Sequence, residues 1–241
     1  MKKITFFAAT CLLVCILFSF APEKKQKRIL IYSKTKGYHH ACIPAGIAAI
    51  QKLGMENNFA VDTTTDSSYF KKKTLKKYAA VVFLSTTGNV LNDEQQVAFQ
   101  KYIQAGGGYM GMHAATDTEY DWPWYTQLVG AQFKSHPKQQ KAMFNVVDAS
   151  NISTQHLPAK WERFDELYNF KNIQNGLHVL LTIDEKSYTG GDNGDVHPMA
   201  WYHDFDGGRA FYTALGHTDE SYLDPLFLKH LLGGLQYVMN K

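Results

Sequence analysis

Histidines lie at or next to the ends of several predicted strands, where an imidazole ring could do chemistry. Six of the ten histidines fall at such loop or strand-end positions: His39, His40, His113, His136, His197 and His217. In a parallel sheet, the segments that follow the carboxyl ends of the strands meet at one edge, where ligands bind. Imidazole can act there as an acid, a base or a metal ligand. The pattern therefore predicts a histidine-rich site at one edge of a sheet.

His113 lies in residues 106–117, GGGYMGMHAATD, the stretch around which the rest of the chain is organised. Glycines that end a helix are followed by a short apolar strand and by a sharp turn that presents His113. The alternative is a buried histidine that bonds to a backbone carbonyl. The glycines also match the dinucleotide-binding fingerprint, but they enter a predicted strand, whereas that fingerprint must open a helix. A nicotinamide or flavin site is therefore excluded.

Glu166 is the best carboxylate candidate, because it lies in a hydrophobic setting within residues 164–168, FDELY. It could serve as an acid or base or could orient a histidine; the alternative is a capping or salt-bridged carboxylate. Cys42, just before a helix start, is a minor candidate nucleophile. No cofactor is certain. The HExxH spacing is absent, but a divalent metal stays open as an alternative, with ligands drawn from His39, His40, His113, His197 and His217.

The elements that must position these residues alternate between strand and helix in the first half of the chain. Short apolar runs predict buried strands at residues 28–33, 59–62, 79–84 and 109–112, as is typical of parallel strands covered on both faces. Helices are predicted to begin at Pro44 and at Asn92 or Asp93. This alternation predicts an α/β fold with right-handed crossovers.

The second half of the chain is less regular. Strands are predicted at residues 143–147, 178–183, 199–202 and 209–212, and the last two are joined by a hairpin turn at residues 204–208. Residues 157–168 are predicted to form a loop and turn, and a final helix begins near Asp224 and Pro225. The central sheet is therefore predicted to be mostly parallel, with an added hairpin in the C-terminal half.

The N-terminal segment has the composition of a targeting signal. Lys2 and Lys3 precede an apolar run at residues 4–20, so residues 1–21 are predicted to be a signal peptide or an uncleaved N-terminal anchor. Residues 22–27 form a tether, and residues 28–241 form a single domain. Export, to the periplasm or to the outer face of a membrane, follows from this prediction.

Charge and cysteine content limit the partners. Removal of Lys2 and Lys3 lowers the formal net charge from +3 to +1, which gives no reason to expect nucleic acid as a partner. A membrane is expected to contact the chain only through the N-terminal segment, if that segment is uncleaved. A single cysteine would remain after cleavage, so an internal disulfide is excluded. The oligomeric state stays open.

Five stretches together resemble the ThuA-like (trehalose utilisation) family. They are residues 36–40 (KGYHH), 106–117, 165–168 (DELY), 197–201 (HPMAW) and 208–217 (GRAFYTALGH). The resemblance implies a fold similar to that of class I glutamine amidotransferases, a flavodoxin-like three-layer α/β/α sandwich. In those enzymes a cysteine nucleophile occupies the turn after a central strand, where this sequence has His113. Amidotransferase activity is therefore not expected, because no thiolate is available to form an acyl intermediate.

The resemblance also implies a role in carbohydrate catabolism, on a sugar or keto-sugar glycoside, as a hydrolase, lyase or isomerase. His113 would be the central acid–base group and Glu166 its partner. The predicted substrate-binding residues are Tyr38, His39, His40, Asp117, Trp122, His136, His197, Trp201 and His217, with Trp122 or Trp201 as a surface on which a sugar stacks. Two alternatives stay open: a non-catalytic sugar-binding module, and a metal-dependent hydrolase with histidine ligands.

Overall fold

The computed structural model describes residues 26–240. The predicted signal or anchor at residues 1–21 and most of the tether lie outside the described residues. Within residues 26–240, no helix is both long enough and apolar enough to cross a membrane. The first strand begins at Lys27, one residue before the predicted start of the domain.

Eleven strands and five α-helices make up the described chain. The strands are β1 Lys27–Tyr32, β2 Phe59–Thr64, β3 Ala80–Leu84, β4 Gly108–Met112, β5 Gln132–Ser135, β6 Gln140–Val146, β7 Lys160–Asp165, β8 Asn169–Lys171, β9 His178–Ile183, β10 His197–Phe205 and β11 Gly208–Thr213. The helices are α1 Ile43–Glu56, α2 Lys72–Leu75, α3 Asp93–Gln104, α4 Pro123–Val129 and α5 Pro225–Met239. The alternation of strand and helix up to β4 confirms the α/β prediction.

Nine of the strands form one sheet in the order β2-β1-β3-β4-β11-β10-β9-β6-β7. The strands from β2 to β11 are parallel, whereas every pair from β11 to β7 is antiparallel. The predicted hairpin is β10 with β11. It is not a small addition, because β9, β6 and β7 extend it, and the central sheet is mixed in consequence. The remaining two strands, β5 and β8, pair with each other.

The local sequence explains the limits of the helix and strand that lead to His113. Asn92 caps α3 by accepting from the backbone N–H of Gln95, whose side chain in turn accepts from Asn92 N–H, and the two form a capping box. The helix ends before Gly106, whose φ of 87° lies in the left-handed region that glycine adopts without strain. β4 then begins at Gly108, where a Cβ atom would lie 2.1 Å from the carbonyl oxygen of Val238 on α5. The glycines therefore end the helix, as their order in the sequence predicted, and the structure adds that Gly108 allows close packing against α5.

β7 is the main element that the sequence did not predict. Residues 157–168 were predicted to be a loop and turn, but Lys160–Asp165 is a strand whose side chains alternate between exposed and buried. The buried face carries Trp161, Arg163 and Asp165, so the alternation was hidden by two charged side chains on the inner face. Although β7 is last in the sheet order, Asp165 accepts hydrogen bonds from the backbone N–H groups of Gly216 and His217, which follow β11. β7 runs in the same direction as β11, so both strands end at the carboxyl edge, and the far end of the sheet curls back towards β11.

Candidate functional site

His113 is fully buried at the first position of the turn that follows β4. Its φ of 49° is in the left-handed region, a conformation that costs energy for a residue with a side chain and is common at functional sites. The hydroxyl of Tyr212 donates to the carbonyl oxygen of His113 at 2.7 Å. Nδ1 of His113 lies 2.9 Å from the carbonyl oxygen of Ala214. Because that oxygen can only accept, Nδ1 carries a proton, and in the neutral tautomer this leaves the lone pair on Nε2.

Three further side chains converge on His113 Nε2. Nδ1 of His217 lies 2.9 Å from it, and Oε2 of Glu166 lies 3.4 Å from it. The same Glu166 oxygen is 3.1 Å from His217 Nδ1. His40 completes the group: one polar atom from each of the four side chains lies within 4.8 Å of the others. We call His40, His113, Glu166 and His217 the four-residue cluster.

Each member of the cluster comes from the carboxyl edge of the sheet. His40 lies in the loop between β1 and α1, His113 follows β4, and His217 follows β11. Glu166 directly follows β7, which runs in the same direction as β11 and therefore ends at the same edge. The structure thus brings together four of the residues that the sequence predicted, although they are spread over more than half of the chain.

Asp165 holds two members of the cluster in place. Its side chain is fully buried, and its Oδ1 accepts from the backbone N–H groups of Glu166 and His217 at 2.9 and 3.0 Å. Its Oδ2 accepts from Gly216 N–H at 3.0 Å, and the guanidinium of Arg163 lies 3.8 Å away. One carboxylate therefore fixes both the strand end that carries Glu166 and the loop that carries His217.

Burial and mutual contact shift the pKa values in the cluster. Burial raises the pKa of Glu166, but hydrogen bonds and charge interactions with His113 and His217 outweigh it, and the net pKa lies well below the ordinary value. Burial lowers the pKa of His217, but the contact with Glu166 outweighs it and raises the pKa. Burial, with the neighbouring His113 and His217, lowers the pKa of His40 to about 3. The cluster therefore contains a carboxylate and at least one neutral imidazole at neutral pH.

Partly exposed side chains adjoin the cluster on the solvent side. His136 places Nδ1 3.4 Å from Oε1 of Glu166, the oxygen that faces away from His113, and its side chain is 42% exposed. The ring of Tyr38 is 68% exposed and meets the ring of His40 edge-on at 4.8 Å. The buried ring of Tyr168 lies 4.4 Å from that of His113 and stacks on that of His136 at 6.1 Å. Two of the predicted binding residues, Tyr38 and His136, thus stand where a ligand could reach the cluster.

Two predicted residues lie outside the cluster but on the same side of the molecule. His39 is exposed, and its Nδ1 is 3.2 Å from the hydroxyl of Thr35. Asp117 is partly buried and accepts a hydrogen bond from Tyr120; burial raises its pKa. Neither places a polar atom in the cluster.

Two of the predicted binding residues face the interior, and the structure corrects these predictions. The ring of Trp201 is fully buried against Tyr212, and its Nε1 donates to the carbonyl oxygen of Val129, so no ring face is open to a sugar. His197 is also fully buried, with Nδ1 2.9 Å from Oε1 of Glu185 and Nε2 2.8 Å from the carbonyl oxygen of Tyr168. Its role in the structure is to hold the backbone of Tyr168.

Trp122 and Cys42 are also placed away from the expected chemistry. Trp122 is half-buried and stacks on Trp124 at 4.9 Å, and Trp124 donates to Asp206 in the hairpin turn at the amino end of β11. Cys42 is buried, and burial raises the pKa of its thiol to about 12. A thiol with that pKa is not a nucleophile at neutral pH, so the minor candidate nucleophile is ruled out.

The sequence missed the supporting residues of the site. Asp165 and Tyr168 belong to a stretch that was singled out, but the partners that make them important, His217 and His113, are each more than fifty positions away. Glu185 gave no signal, because its partner His197 is reached only through the fold. The adjacency of Asp165 to Glu166 was the one available hint.

Solved structures similar to this chain share its fold. A ThuA-like protein from Bacteroides uniformis ATCC 8492 is 25% identical, with a TM-score of 0.76 over 90% of this chain and 94% of that chain. A ThuA-like protein from Parabacteroides merdae ATCC 43184 is 22% identical, with a TM-score of 0.74 over 90% of this chain and 91% of that chain. A β-galactosidase from Rahnella sp. R3 is 14% identical, with a TM-score of 0.56, and aligns with 88% of this chain but 31% of its own.

The comparisons at the level of sequence agree with the structural likeness. No protein with a curated description matches the chain. The family model for ThuA, described as trehalose utilisation, matches residues 28–238, which include all four members of the cluster. This match covers most of the sequence and confirms the resemblance found from the motifs. The chain therefore belongs to the ThuA (trehalose utilisation) family.

Proposed function

We propose that this chain is a carbohydrate-active enzyme and that its reaction takes place at the four-residue cluster. The observation that carries the proposal is the convergence of His40, His113, Glu166 and His217 at the carboxyl edge of the sheet, within 4.8 Å of one another. Ligands of open α/β sheets bind at that edge. Family membership supports carbohydrate as the substrate class. The reaction would be a hydrolysis, a lyase reaction or an isomerisation of a sugar or keto-sugar glycoside.

The geometry supports catalysis more than simple binding. His113 is held in a left-handed backbone conformation, which costs energy and which simple binding of a sugar does not require. Such strain persists only where the surrounding structure enforces it. The hydrogen bond to Ala214 fixes the ring so that its Nε2 lone pair faces Glu166 and His217. A fixed lone pair beside a carboxylate is the arrangement that general acid–base chemistry and metal binding both use.

Substrate would approach from the side of Tyr38 and His136. The exposed ring of Tyr38 offers a flat apolar face beside His40, on which the C–H groups of a pyranose could pack. The partly exposed imidazole of His136 could bond a sugar hydroxyl while it stays near Glu166. His39 and Asp117 are proposed to contact more distant parts of a larger glycan. Amidotransferase chemistry is not proposed, because the turn after β4 carries His113 instead of a cysteine.

Two finer features of the molecule also belong to this proposal. The order β2-β1-β3-β4-β11 of the parallel strands is that of flavodoxin-like sheets and supports a three-layer arrangement. The apolar N-terminal run supports export of the chain. β1 begins at Lys27, at the amino edge of the parallel strands, so an uncleaved anchor would leave the cluster at the edge farther from the membrane.

The test is a turnover screen with a matched pair of variants. The full chain is incubated with disaccharides and with their keto derivatives, and products are followed by mass spectrometry and NMR. His113→Asn should reduce turnover by at least about 100-fold, as loss of an acid–base group does. His178→Asn, an exposed histidine on β9, is the control and should leave turnover unchanged. Binding of a sugar by calorimetry without product would instead identify a binding module, and equal turnover in the two variants would remove the cluster from the reaction.

A further inference from the structure

We infer that the four-residue cluster binds one divalent transition-metal cation. His113, His217 and Glu166 would supply three ligand atoms, and His40 would supply the fourth. The inference deepens the proposed function, on which it rests for the substrate, because it names the cofactor of the same site. It also refines the ligand set that the sequence allowed: Glu166 enters it, and His39 and His197 leave it.

The distances among the three closest atoms fit a shared cation. His113 Nε2, His217 Nδ1 and Glu166 Oε2 form a triangle with edges of 2.9, 3.1 and 3.4 Å. Bonds of about 2.0–2.2 Å from a metal to nitrogen and oxygen place neighbouring ligand atoms roughly 2.9–3.5 Å apart, in tetrahedral or octahedral geometry. The triangle is therefore the size that a single cation would require. Two histidines and one carboxylate on one face of a metal also leave positions open for substrate.

The hydrogen-bonding capacity of these atoms points the same way. His113 Nε2 faces the triangle with a lone pair, because Nδ1 of the same ring is committed to the carbonyl of Ala214. Oε2 of Glu166 can only accept when the carboxylate is ionised. A proton on His217 Nδ1 is then the one hydrogen that can serve both acceptors. Three atoms rich in lone pairs that converge on one point are better satisfied by a cation than by one shared proton.

His40 supplies an independent observation. His40 is 3% exposed, and its buried Nδ1 has no hydrogen-bond partner among the described residues. A buried polar atom without a partner costs about 1–3 kcal/mol, so an unpaired imidazole nitrogen calls for an explanation. The ring lies 4.8 Å from that of His113 and 5.3 Å from that of His217. A cation held by the other three side chains would give His40 a ligand role at this position.

The surrounding contacts are those that metal ligands normally have. A metal-bound histidine usually donates its second ring N–H to a carbonyl or carboxylate, as His113 does to Ala214. Asp165 fixes the backbone of both Glu166 and His217. Glu166 Oε1, which does not face the triangle, lies 3.4 Å from His136. The ligands are therefore oriented before any cation arrives.

The donor set selects the class of cation. Three imidazoles and one carboxylate favour Zn²⁺, Mn²⁺, Fe²⁺ or Co²⁺, whereas Ca²⁺ and Mg²⁺ prefer sites made of oxygen atoms. A bound cation of this class would supply Lewis-acid polarisation of a sugar oxygen or of a water molecule.

The experiment measures metal binding separately from turnover. The full chain is stripped with a chelator, dialysed and titrated with Zn²⁺ by calorimetry, and with Co²⁺ by visible absorption, which reports the ligands of the ion. We expect one ion per chain. Glu166→Gln and His217→Ala should each weaken Zn²⁺ binding by more than about 100-fold, beyond the usual effect of residues outside the ligand set. His39→Ala is the matched control, because it removes an exposed histidine adjacent to His40 and should leave the affinity unchanged.

Circular dichroism of the stripped variants tests whether they are folded. If Glu166→Gln does not fold, His217→Ala provides the test, because His217 is the most exposed member of the cluster. Failure of the folded chain to bind either ion, or equal binding by all variants, would overturn the inference. Full turnover by the stripped chain would also overturn it while leaving the proposed function intact. Stoichiometric binding by a chain that turns over no sugar would support the inference and contradict the proposed function.

Discussion

Asp165→Asn is the substitution that most directly tests how the fold assembles the site. The change is nearly isosteric, but it replaces one acceptor oxygen by an NH₂ donor. With the amide oxygen kept on the backbone N–H groups of Glu166 and His217, the NH₂ group must face the N–H of Gly216. One hydrogen bond to a charged acceptor is then lost, and two others are made to a neutral oxygen.

The size of the effect follows from these contacts. A hydrogen bond to a charged group contributes about 1.5–3 kcal/mol, and a buried N–H left without a partner costs about 1–3 kcal/mol. We therefore expect the free energy of unfolding to fall by roughly 3 kcal/mol, which lowers Tm by about 6–12 °C in a domain of this size. The loop that carries His217 should also loosen, and turnover and Zn²⁺ affinity should fall by roughly 10–100-fold, as for other outer-sphere partners of ligands.

Asp224→Asn is the matched control for this prediction. Asp224 also pairs with Arg163, but it caps α5 through the N–H of Leu226 and has no contact with the cluster. Asparagine is also a good helix cap, so the control should lose well under 2 kcal/mol and keep full turnover. Thermal unfolding and kinetics of the two variants are compared under identical conditions. Unchanged stability and turnover in Asp165→Asn, or an equal loss of turnover in Asp224→Asn, would refute the reasoning.

Other predictions follow from the burial of individual side chains. Tyr38→Ala should weaken sugar binding by roughly 10-fold, the loss of one stacked ring, without a change in Tm, because the ring is 68% exposed. Trp201→Ala should instead cost about 3–5 kcal/mol of stability, because the ring is fully buried; a Trp201 variant that stays as stable and loses only sugar affinity would contradict its placement. Burial lowers the pKa of His230 to about 3, so its contribution to stability is complete above pH 6.5 and is lost as the pH falls below that value, by about 2 kcal/mol at pH 5. The Tm of His230→Gln should therefore change less between pH 7 and pH 5 than the Tm of the parent chain. An equal change of Tm with pH in the two proteins would contradict the lowered pKa of His230. Cys42 should react with iodoacetamide at pH 7.5 only after denaturation, because burial raises its pKa to about 12; rapid labelling of the native chain, followed by mass spectrometry, would argue against this burial.

The parallel half of the sheet could be predicted because its sequence obeys local rules. β3 is a run of five buried apolar residues between polar segments, and its short length and its Val and Phe residues favour a strand over a helix. β7 could not be predicted in the same way. Its inner face carries Arg163 and Asp165, whose burial is stabilised by partners far along the chain, at Asp224 and His217.

The candidate site shows the same division. His113 and His217 were predicted at one edge because His113 directly follows β4 and His217 lies in the loop after β11. His39 and His40 are neighbours with equal claims in the sequence, but only His40 turns inward to the cluster. His197 lies at the correct edge on β10, yet its side chain points into the packing around Tyr168. The position of each histidine in the sequence therefore predicted that it lies at the carboxyl edge of the sheet. It did not predict whether the side chain faces the cluster, the solvent or the interior.

The sequence by itself determined the α/β class, the buried parallel strands, the turn that presents His113 and membership of a carbohydrate-related family. These depend on patterns within about fifteen residues, or on motifs that are read directly. The tertiary structure alone decided that Glu166 reaches His113, that Asp165 fixes the loop of His217, and that Trp201 and His197 are buried. The contacts of Glu166 with His113 and of Asp165 with His217 join residues more than fifty positions apart. They arise because the far end of the mixed sheet curls back towards the parallel strands, and no local pattern encodes that curvature.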